Sequence, residues 1–171
     1  MNLGQAIYTM VLSVVLSAGV LSCREQTEVR VVEYMRDGQI DQARMVEDVE
    51  HQLTTLSQGI SGNDADKIFS IFSTTHPTVY VRNGEIEESV DAARQSYRRS
   101  LSQLKNKRKF AFERKEFDVL GPRSVLFNGI GVISSPDMKS PWRIAYTIVF
   151  SLESAGWRAV TMHISWENQK G

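Results

Sequence analysis

The sequence predicts an α+β fold in which N-terminal helices pack on one face of an antiparallel sheet. Two patterns carry this prediction. Between Asp41 and Leu104, apolar residues recur at steps of three and four, which is the period of amphipathic helices. Between Phe110 and Trp166 the period changes to two, which is typical of half-buried strands. Because the helices come first and the strands follow, the helices are expected to lie together on the sheet.

The first two helices are separated by a glycine-containing turn. The first helix begins after Asp41, and Gly59 and Gly62 are expected to end it. Asn63 then offers an N-cap for the second helix. That helix is expected to stop before Pro77, since the residue before proline is disfavoured in helical angles. The apolar stripes are Val46, Val49, Leu53, Leu56 and Ile60 in the first helix and Ile68, Phe69 and Phe72 in the second.

A short strand and a third helix follow. The segment 78–81 is rich in β-branched and aromatic residues, and Asn83-Gly84 favours a tight turn. The next helix is predicted from an apolar face that lies opposite a group of arginines. That face consists of Val90, Ala93, Tyr97, Leu101 and Leu104.

Four strands complete the chain. Residues 110–120 and 124–134 flank a Gly121-Pro122 turn, and residues 142–152 and 157–166 form a final hairpin. The bulky residues of this hairpin alternate with small or polar ones, and burial of each contributes roughly 1.5–3 kcal/mol. The bulky set is therefore expected to face the helices. It comprises Trp142, Ile144, Tyr146, Ile148 and Phe150 on one strand and Val160, Met162, Ile164 and Trp166 on the other.

The first 22 residues predict export. Met1 to Ser22 contains no Lys, Arg, Asp or Glu, and all the formal charges, 20 basic and 20 acidic, lie at Arg24 or later. The apolar run 6–21 is short for a membrane span and suits the core of a signal peptide. We expect a signal peptide at 1–22, a polar tether at 23–40 and one domain at 41–171.

Cys23, the only cysteine of the chain, ends the apolar run. The segment Val20-Leu21-Ser22-Cys23 resembles a bacterial lipobox, in which the cysteine thiol is acylated and becomes the new N-terminus. This resemblance implies lipidation at Cys23 and anchoring to a membrane of the bacterial cell envelope, facing the periplasm or the cell exterior. The alternatives are an ordinary signal peptide or an uncleaved anchor with an incidental cysteine.

Charge and motif content exclude several classes of function. Lys+Arg and Asp+Glu number 20 each, so the chain lacks the basic surplus of a nucleic-acid-binding protein. The basic run 105–109 is interpreted as a solvated loop. Three histidines without clustered cysteines or acids give no metal-ligand spacing, and phosphate-binding, dinucleotide-binding and nucleophile-elbow motifs are absent. No cofactor and no metal are expected.

Three segments carry a family resemblance: 62–66, 78–84 and 156–165. From about Ala43 to Trp166 the chain resembles the nuclear transport factor 2 (NTF2)-like superfamily, which includes SnoaL-like proteins and ketosteroid isomerases. The last segment is also similar to that of the calcium/calmodulin-dependent kinase II association domain. The resemblance implies a cystatin-like cone, in which three helices pack on a curved, mixed and mostly antiparallel sheet. It implies little about activity, because one fold hosts many functions.

The acid–base residues that isomerases of this fold use are missing from the corresponding positions. Those enzymes use an Asp base on the first strand, with a Tyr and an acid as oxyanion donors. The base would fall near Val81, which accepts no proton. The first helix has no tyrosine, and the strand 142–152 has no Asp or Glu. No catalytic residue is therefore assigned.

Six residues are predicted to line a ligand pocket: Tyr80, Tyr97, Trp142, Tyr146, Met162 and Trp166. Tyr146 is the strongest polar candidate, since one phenol can orient a polar atom of a ligand. The alternative is that these side chains fill the cone and leave no cavity. The alternation of side chains along the last strand places His163 on the outer face of the sheet. The carboxylates of Glu113, Glu116 and Asp118 are expected to be solvated.

Two functions remain open. The first is a lipid-anchored binding domain whose cone holds a small apolar molecule or a partner protein without turning it over. The second is a small-molecule isomerase, lyase or hydrolase that uses an unrecognised polar set. A deep pocket containing an ionisable group of strongly shifted pKa would favour the enzyme. A homodimer is expected through the outer sheet face, where Thr147, Val149, Thr161, His163 and Ser165 permit close approach.

Overall fold

The computed structural model describes residues 34–36, 39–104 and 106–166. Within them, the elements in chain order are β1 (Met35–Arg36), β2 (Gln39–Ile40), α1 (Gln42–Gly62), α2 (Ala65–Phe69), β3 (Val79–Arg82), β4 (Glu85–Ile86), α3 (Val90–Ser102), β5 (Lys109–Gly121), β6 (Ser124–Ser134), β7 (Trp142–Glu153) and β8 (Gly156–Trp166). The predicted α+β class is confirmed. The predicted signal peptide and Cys23 lie outside the described residues.

Six strands form the main sheet, in the order β4-β3-β8-β7-β6-β5. Neighbouring strands are antiparallel except β3 and β8, which run parallel and place Tyr80 beside Met162. The sheet is therefore mixed and mostly antiparallel, as predicted, and the helices pack on its curved surface. The short strands β1 and β2 pair only with each other in the described part of the chain.

Helix α1 starts at the predicted position but turns a slightly different face to the core. Asp41 caps it by accepting a hydrogen bond from the Arg44 backbone amide at 3.1 Å. Val46 was predicted on the buried face and is only half-buried, whereas Met45 is fully buried. The prediction for Val46 was wrong because the stripe continues back from Val49 by four residues, not by three. The buried apolar stripe is Met45, Val49, Leu53, Leu56 and Ile60.

The junction of α1 and α2 differs from the prediction by one residue. Asn63 was predicted to cap α2, but it ends α1 in the left-handed conformation, with φ of 56°. Asp64 caps α2 instead, by accepting from the Lys67 amide at 2.9 Å. Gly59 permits the two helices to touch, since a Cβ atom there would lie 2.7 Å from the Ile68 backbone nitrogen. This close contact fixes how α2 crosses α1.

Helix α2 ends before the last residue of the predicted apolar stripe, because the chain after the helix pairs with the sheet. Phe72, predicted on that helix, instead bridges to Ala159 of β8. The Ala159 amide donates to the Ile71 carbonyl at 2.8 Å, and the Ser73 amide donates to the Ala159 carbonyl at 2.9 Å. The aromatic ring of Phe72 is nevertheless buried in the core.

The predicted turn at Asn83-Gly84 closes a small hairpin that the sequence did not reveal. Both residues have positive φ, 51° and 84°, as a tight turn between β3 and β4 requires. Helix α3 then begins at Ser89, whose hydroxyl accepts from the Ala92 amide at 3.0 Å. Leu104, predicted on its buried face, is exposed because the helix ends at Ser102.

Strand β8 departs from strict alternation at Val160. Opposite β7, Phe150 pairs with Ala159 and Val149 pairs with Thr161, so Val160 is the extra residue of a β-bulge. Val160 was predicted to face the core and is only half-buried, whereas Ala159 is fully buried. After the bulge the predicted parity holds, with Met162 and Ile164 inward and His163 outward and exposed.

The hydrophobic core extends N-terminally to Tyr34, into the segment predicted as a tether. Its side chain is 4% exposed and meets the Trp157 ring edge-on at 5.8 Å between centroids. The Tyr34 hydroxyl donates to Asp48 Oδ2 at 2.6 Å and accepts from Trp157 Nε1 at 2.9 Å. Burial and the bond to Asp48 raise the pKa of Tyr34 to about 12.

Candidate functional site

The cavity between the helices and the inner face of the sheet has a volume of about 100 Å³. This volume is of the same order as that of the engineered protein-core cavity, about 150 Å³, that binds benzene, so a ligand of about one ring is the appropriate size to compare with the cavity. Its lining is mostly apolar. The lining residues are Leu56, Ile60, Ile68, Phe69, Phe72, Tyr80, Tyr97, Arg108, Ile133, Trp142, Ile144, Tyr146, Met162, Ile164 and Trp166.

The structure brings together all six residues that were predicted to line a pocket, namely Tyr80, Tyr97, Trp142, Tyr146, Met162 and Trp166. Tyr80, Tyr146 and Met162 are buried. Trp142 is 47% exposed and Trp166 is half-buried. The two indoles therefore lie at the solvent side of the cavity. The cavity exists at the place the alternation of β7 and β8 indicated, although its occupancy by a ligand stays a prediction.

One wall of the cavity is a cluster of aromatic rings centred on Phe69. The Phe69 ring lies 5.6 Å from Tyr80 and 5.3 Å from Tyr97, in both cases edge to face. Phe72 stacks against Phe69 at 5.7 Å. Such edge-to-face pairs are favourable beyond their buried area, so they hold the two phenols in fixed positions.

The phenol groups of the cavity act as hydrogen-bond donors at neutral pH. The Tyr80 hydroxyl donates to the Tyr97 hydroxyl at 3.0 Å, so Tyr97 keeps its own proton to donate elsewhere. Burial raises the pKa of Tyr80 and of Tyr146 above the usual value near 10. Burial also raises the pKa of Tyr97, against the opposing effects of the Tyr80 hydrogen bond and the nearby charges of Arg82 and Arg108. None of the three phenols is a base at neutral pH.

Arg108 is the charged lining residue that the sequence pattern did not predict. It belongs to the basic run interpreted as a solvated loop, but its side chain lines the cavity and is only partly exposed. Its Nε donates to Asn63 Oδ1 at 2.8 Å. Its Nη2 is buried and has no hydrogen-bond partner among the described residues. Arg108 therefore places a positive charge with unused donor capacity beside an apolar cavity.

The charge of Arg108 persists in the cavity. Burial lowers the pKa of the guanidinium, while the hydroxyls of Tyr97 and Tyr146 raise it. A guanidinium stays protonated in proteins, so its field acts on the cavity at any physiological pH. Within the described residues, the lining contains no Asp, Glu or His. The cavity is therefore rich in donors and contains no charged acceptor.

The remaining polar candidates lie away from the cavity. His163 is exposed on the outer face of the sheet, as predicted, and Glu113, Glu116 and Asp118 are exposed on β5, also as predicted. In the parts of the chain that the structure describes, no group of three His, Cys, Asp or Glu side chains is placed to hold a metal ion. The homodimer predicted through the outer face stays a prediction.

A sequence model of the SnoaL-like domain family matches residues 49–168. Curated proteins give no match. An NTF2-like superfamily protein from Salmonella enterica has a similar structure, with a TM-score of 0.63 and 13% identity over 76% of this chain and 96% of that one. A candidate dehydratase of the NTF2-like family from Streptomyces avermitilis has a TM-score of 0.61 and 16% identity, over 73% of this chain and 97% of that one.

A protein with a cystatin-like fold from Nostoc punctiforme also matches, with a TM-score of 0.60 and 6% identity over 71% of this chain and 90% of that one. At such identities the likeness establishes the fold alone. The NTF2-like cone implied by the resemblance is thereby confirmed.

Proposed function

This chain belongs to the SnoaL-like domain family, and we propose that it is a binding protein whose cavity holds one small apolar molecule. The observation that supports this proposal most strongly is the size and lining of the cavity. It has the volume of about one ring, apolar and aromatic walls, and a few phenol and guanidinium donors. This combination of a mostly apolar lining with few polar groups is typical of small-molecule sites.

Binding without turnover is favoured over enzymatic activity because the described lining offers no group that would take up a proton at neutral pH. Isomerases, lyases and hydrolases commonly use a positioned group that accepts a proton near the reacting atom. The described lining contains no carboxylate or imidazole, and burial raises the pKa of each lining phenol. A phenol with a raised pKa stays protonated at neutral pH and donates a hydrogen bond rather than accepting a proton.

We expect benzyl alcohol, a neutral one-ring compound, to bind the purified chain saturably in isothermal titration calorimetry. Met162→Trp fills the cavity and should weaken binding at least about tenfold, because a ligand and an added indole compete for the same small volume. Tyr146→Phe removes one donor and should weaken binding about threefold to tenfold. Thr161→Trp is the matched control, since Thr161 precedes Met162 and lies on the opposite face of β8.

Circular dichroism shows whether each variant keeps its fold. Absence of binding to the wild-type chain at about 10 mM benzyl alcohol would mean that the side chains fill the cavity. Equal losses in Met162→Trp and Thr161→Trp would mean that the ligand binds elsewhere. Catalytic turnover that a single polar substitution in the cavity abolishes would show that the protein is an enzyme.

We also propose that the domain is held at a bacterial envelope membrane by a lipid on Cys23. The support is the charge-free apolar run that ends at this cysteine. Within the described residues no helix is long and apolar enough to cross a membrane. Cys23→Ser is expected to release the protein from membranes or to leave its precursor uncleaved, as fractionation and mass spectrometry would show. Unchanged attachment and processing would contradict lipidation.

A further inference from the structure

Arg108 differs from Arg82, the other arginine near Tyr97, in having no acidic partner in the described part of the chain. Arg82, which lies over the Tyr97 ring, forms an ion pair with Glu87 at 2.5 Å. Arg108 has only the neutral amide oxygen of Asn63 as a partner, through Nε. Its buried Nη2 donates to no described group. A charged donor atom that is buried without a hydrogen-bond partner costs free energy, so this arrangement favours an anion from outside the chain.

From this geometry we infer that the cavity selects a small apolar monocarboxylate, whose carboxylate pairs with the Arg108 guanidinium while its ring or alkyl part packs against Phe69 and Met162. The inference rests on the proposed binding function and names the class of ligand. Guanidinium and carboxylate match in shape and form paired, charge-assisted hydrogen bonds. One arginine balances one negative charge, whereas a phosphate monoester carries about −1.5 to −2.

Two further donors, the hydroxyls of Tyr97 and Tyr146, line the same cavity as Arg108. The Tyr97 hydroxyl receives a hydrogen bond from Tyr80 and therefore has a proton to give. Tyr146 lies near enough for the Arg108 charge to lower the pKa of its phenol, against the larger effect of burial. Protonated phenols donate to carboxylate oxygens, and the lining has no acidic group that would repel the ligand.

Asn63 is the positioning residue for Arg108. Its amide oxygen accepts from Arg108 Nε at 2.8 Å, and its amide nitrogen donates to the Asn106 carbonyl at 3.1 Å. Asn63 ends α1 in the left-handed conformation, and its side chain contacts the loop before β5. Asn63 thereby links the helix end, the loop and the guanidinium.

The test compares benzoate with benzamide, which has the same shape and no charge, by calorimetry on the purified chain. Wild type is expected to bind benzoate at least about tenfold more tightly than benzamide. Arg108→Gln should weaken the binding of benzoate about ten- to a hundredfold and change the affinity for benzamide less than about threefold. Arg98→Gln is the matched control, because Arg98 is exposed on α3 and pairs with Asp66. It should change neither affinity.

A second variant separates positioning from folding. Asn63→Gly keeps the left-handed backbone, where glycine is favourable, and removes the amide that holds Arg108. It should lower the ratio of benzoate to benzamide affinity about threefold or more without lowering thermal stability. An unchanged ratio would show that Asn63 only ends helix α1 and does not position Arg108.

Equal affinity of wild type for benzoate and benzamide, with benzyl alcohol still bound, would overturn this inference and leave the proposed binding function standing. An equal loss of affinity for benzoate and benzamide in Arg108→Gln would likewise overturn this inference, since such a loss would indicate that Arg108 has a structural role. Failure of all three compounds to bind wild type would overturn both proposals.

Discussion

Replacing Phe69 by alanine is expected to lower the free energy of unfolding by about 3–5 kcal/mol. Phe69 is 1% exposed, and its ring contacts those of Phe72, Tyr80 and Tyr97 at centroid distances of 5.3–5.7 Å. The substitution removes a large buried ring and joins its volume to the existing cavity. Urea unfolding followed by circular dichroism measures the loss.

The enlarged cavity of Phe69→Ala is expected to bind benzyl alcohol, as the smaller cavity does in the wild-type chain. Benzyl alcohol should recover part of the lost stability, because a compound that binds only the native state raises the free energy of unfolding with its concentration. Phe117→Ala is the matched control, since Phe117 is half-buried against Phe127 and does not line the cavity. A loss below about 1 kcal/mol in Phe69→Ala would contradict the assignment of Phe69 to the centre of the core.

Alkaline pH is expected to destabilise the protein steeply. Burial raises the pKa of Tyr80, Tyr97 and Tyr146, so the native state keeps their protons above pH 10 while the unfolded chain loses them. The unfolded state then binds fewer protons, and the free energy of unfolding falls as pH rises. Each such tyrosine contributes about 1.4 kcal/mol per pH unit, so the three contribute about 4 kcal/mol per pH unit. Tyr34, whose pKa is raised to about 12, adds to this slope.

Denaturant unfolding at a series of pH values between about 8 and 11.5 tests this expectation. Tyrosines contribute no slope below about pH 9, since both states are then protonated. Tyr146→Phe should reduce the slope above pH 10 by about 1.4 kcal/mol per pH unit, whatever its effect on stability at neutral pH. An identical slope in wild type and Tyr146→Phe would show that this phenol titrates normally in the native state.

The elements of the fold were predictable where a local pattern fixes them. Asp41 and the helical period predicted α1, and the two-residue period predicted β6 with its observed bounds. The parallel pairing of β3 with β8 joins residues about 80 positions apart, and no local pattern encodes it. The bulge at Val160 is likewise defined by the pairing of β8 with β7, so alternation along β8 alone misplaced that residue.

The candidate site was predictable on its aromatic side and not on its charged side. Parity along β7 and β8 placed Tyr146, Met162 and Trp166 on one face, and these residues line the cavity. Arg108 lies in a loop, where no periodicity gives a direction. Its side chain is held by Asn63, which is 45 residues away in the sequence. A solvated basic loop and a cavity-lining arginine therefore have the same sequence signature here.

The existence of the cavity itself depends on packing rather than on pattern. The same inward residues would be expected of a filled core. The observed space of about 100 Å³ remains among side chains of Phe69, Tyr97 and Tyr146 whose rings are held by edge-to-face contacts. Differences of one methylene decide whether such a space is open, and sequence periodicity does not resolve them.

Nuclear Overhauser effects between benzyl alcohol and the protein test most directly whether the cavity is a ligand site. We expect cross-peaks from the ring protons of the ligand to the Met162 methyl group and to the methyl groups of Ile144 and Ile164, all of which line the cavity. Met162→Trp should remove these cross-peaks and Thr161→Trp should retain them. Saturable binding with cross-peaks only to exposed groups such as Leu120 and Ile86, or no cross-peaks at all, would contradict the assignment of the cavity as the binding site.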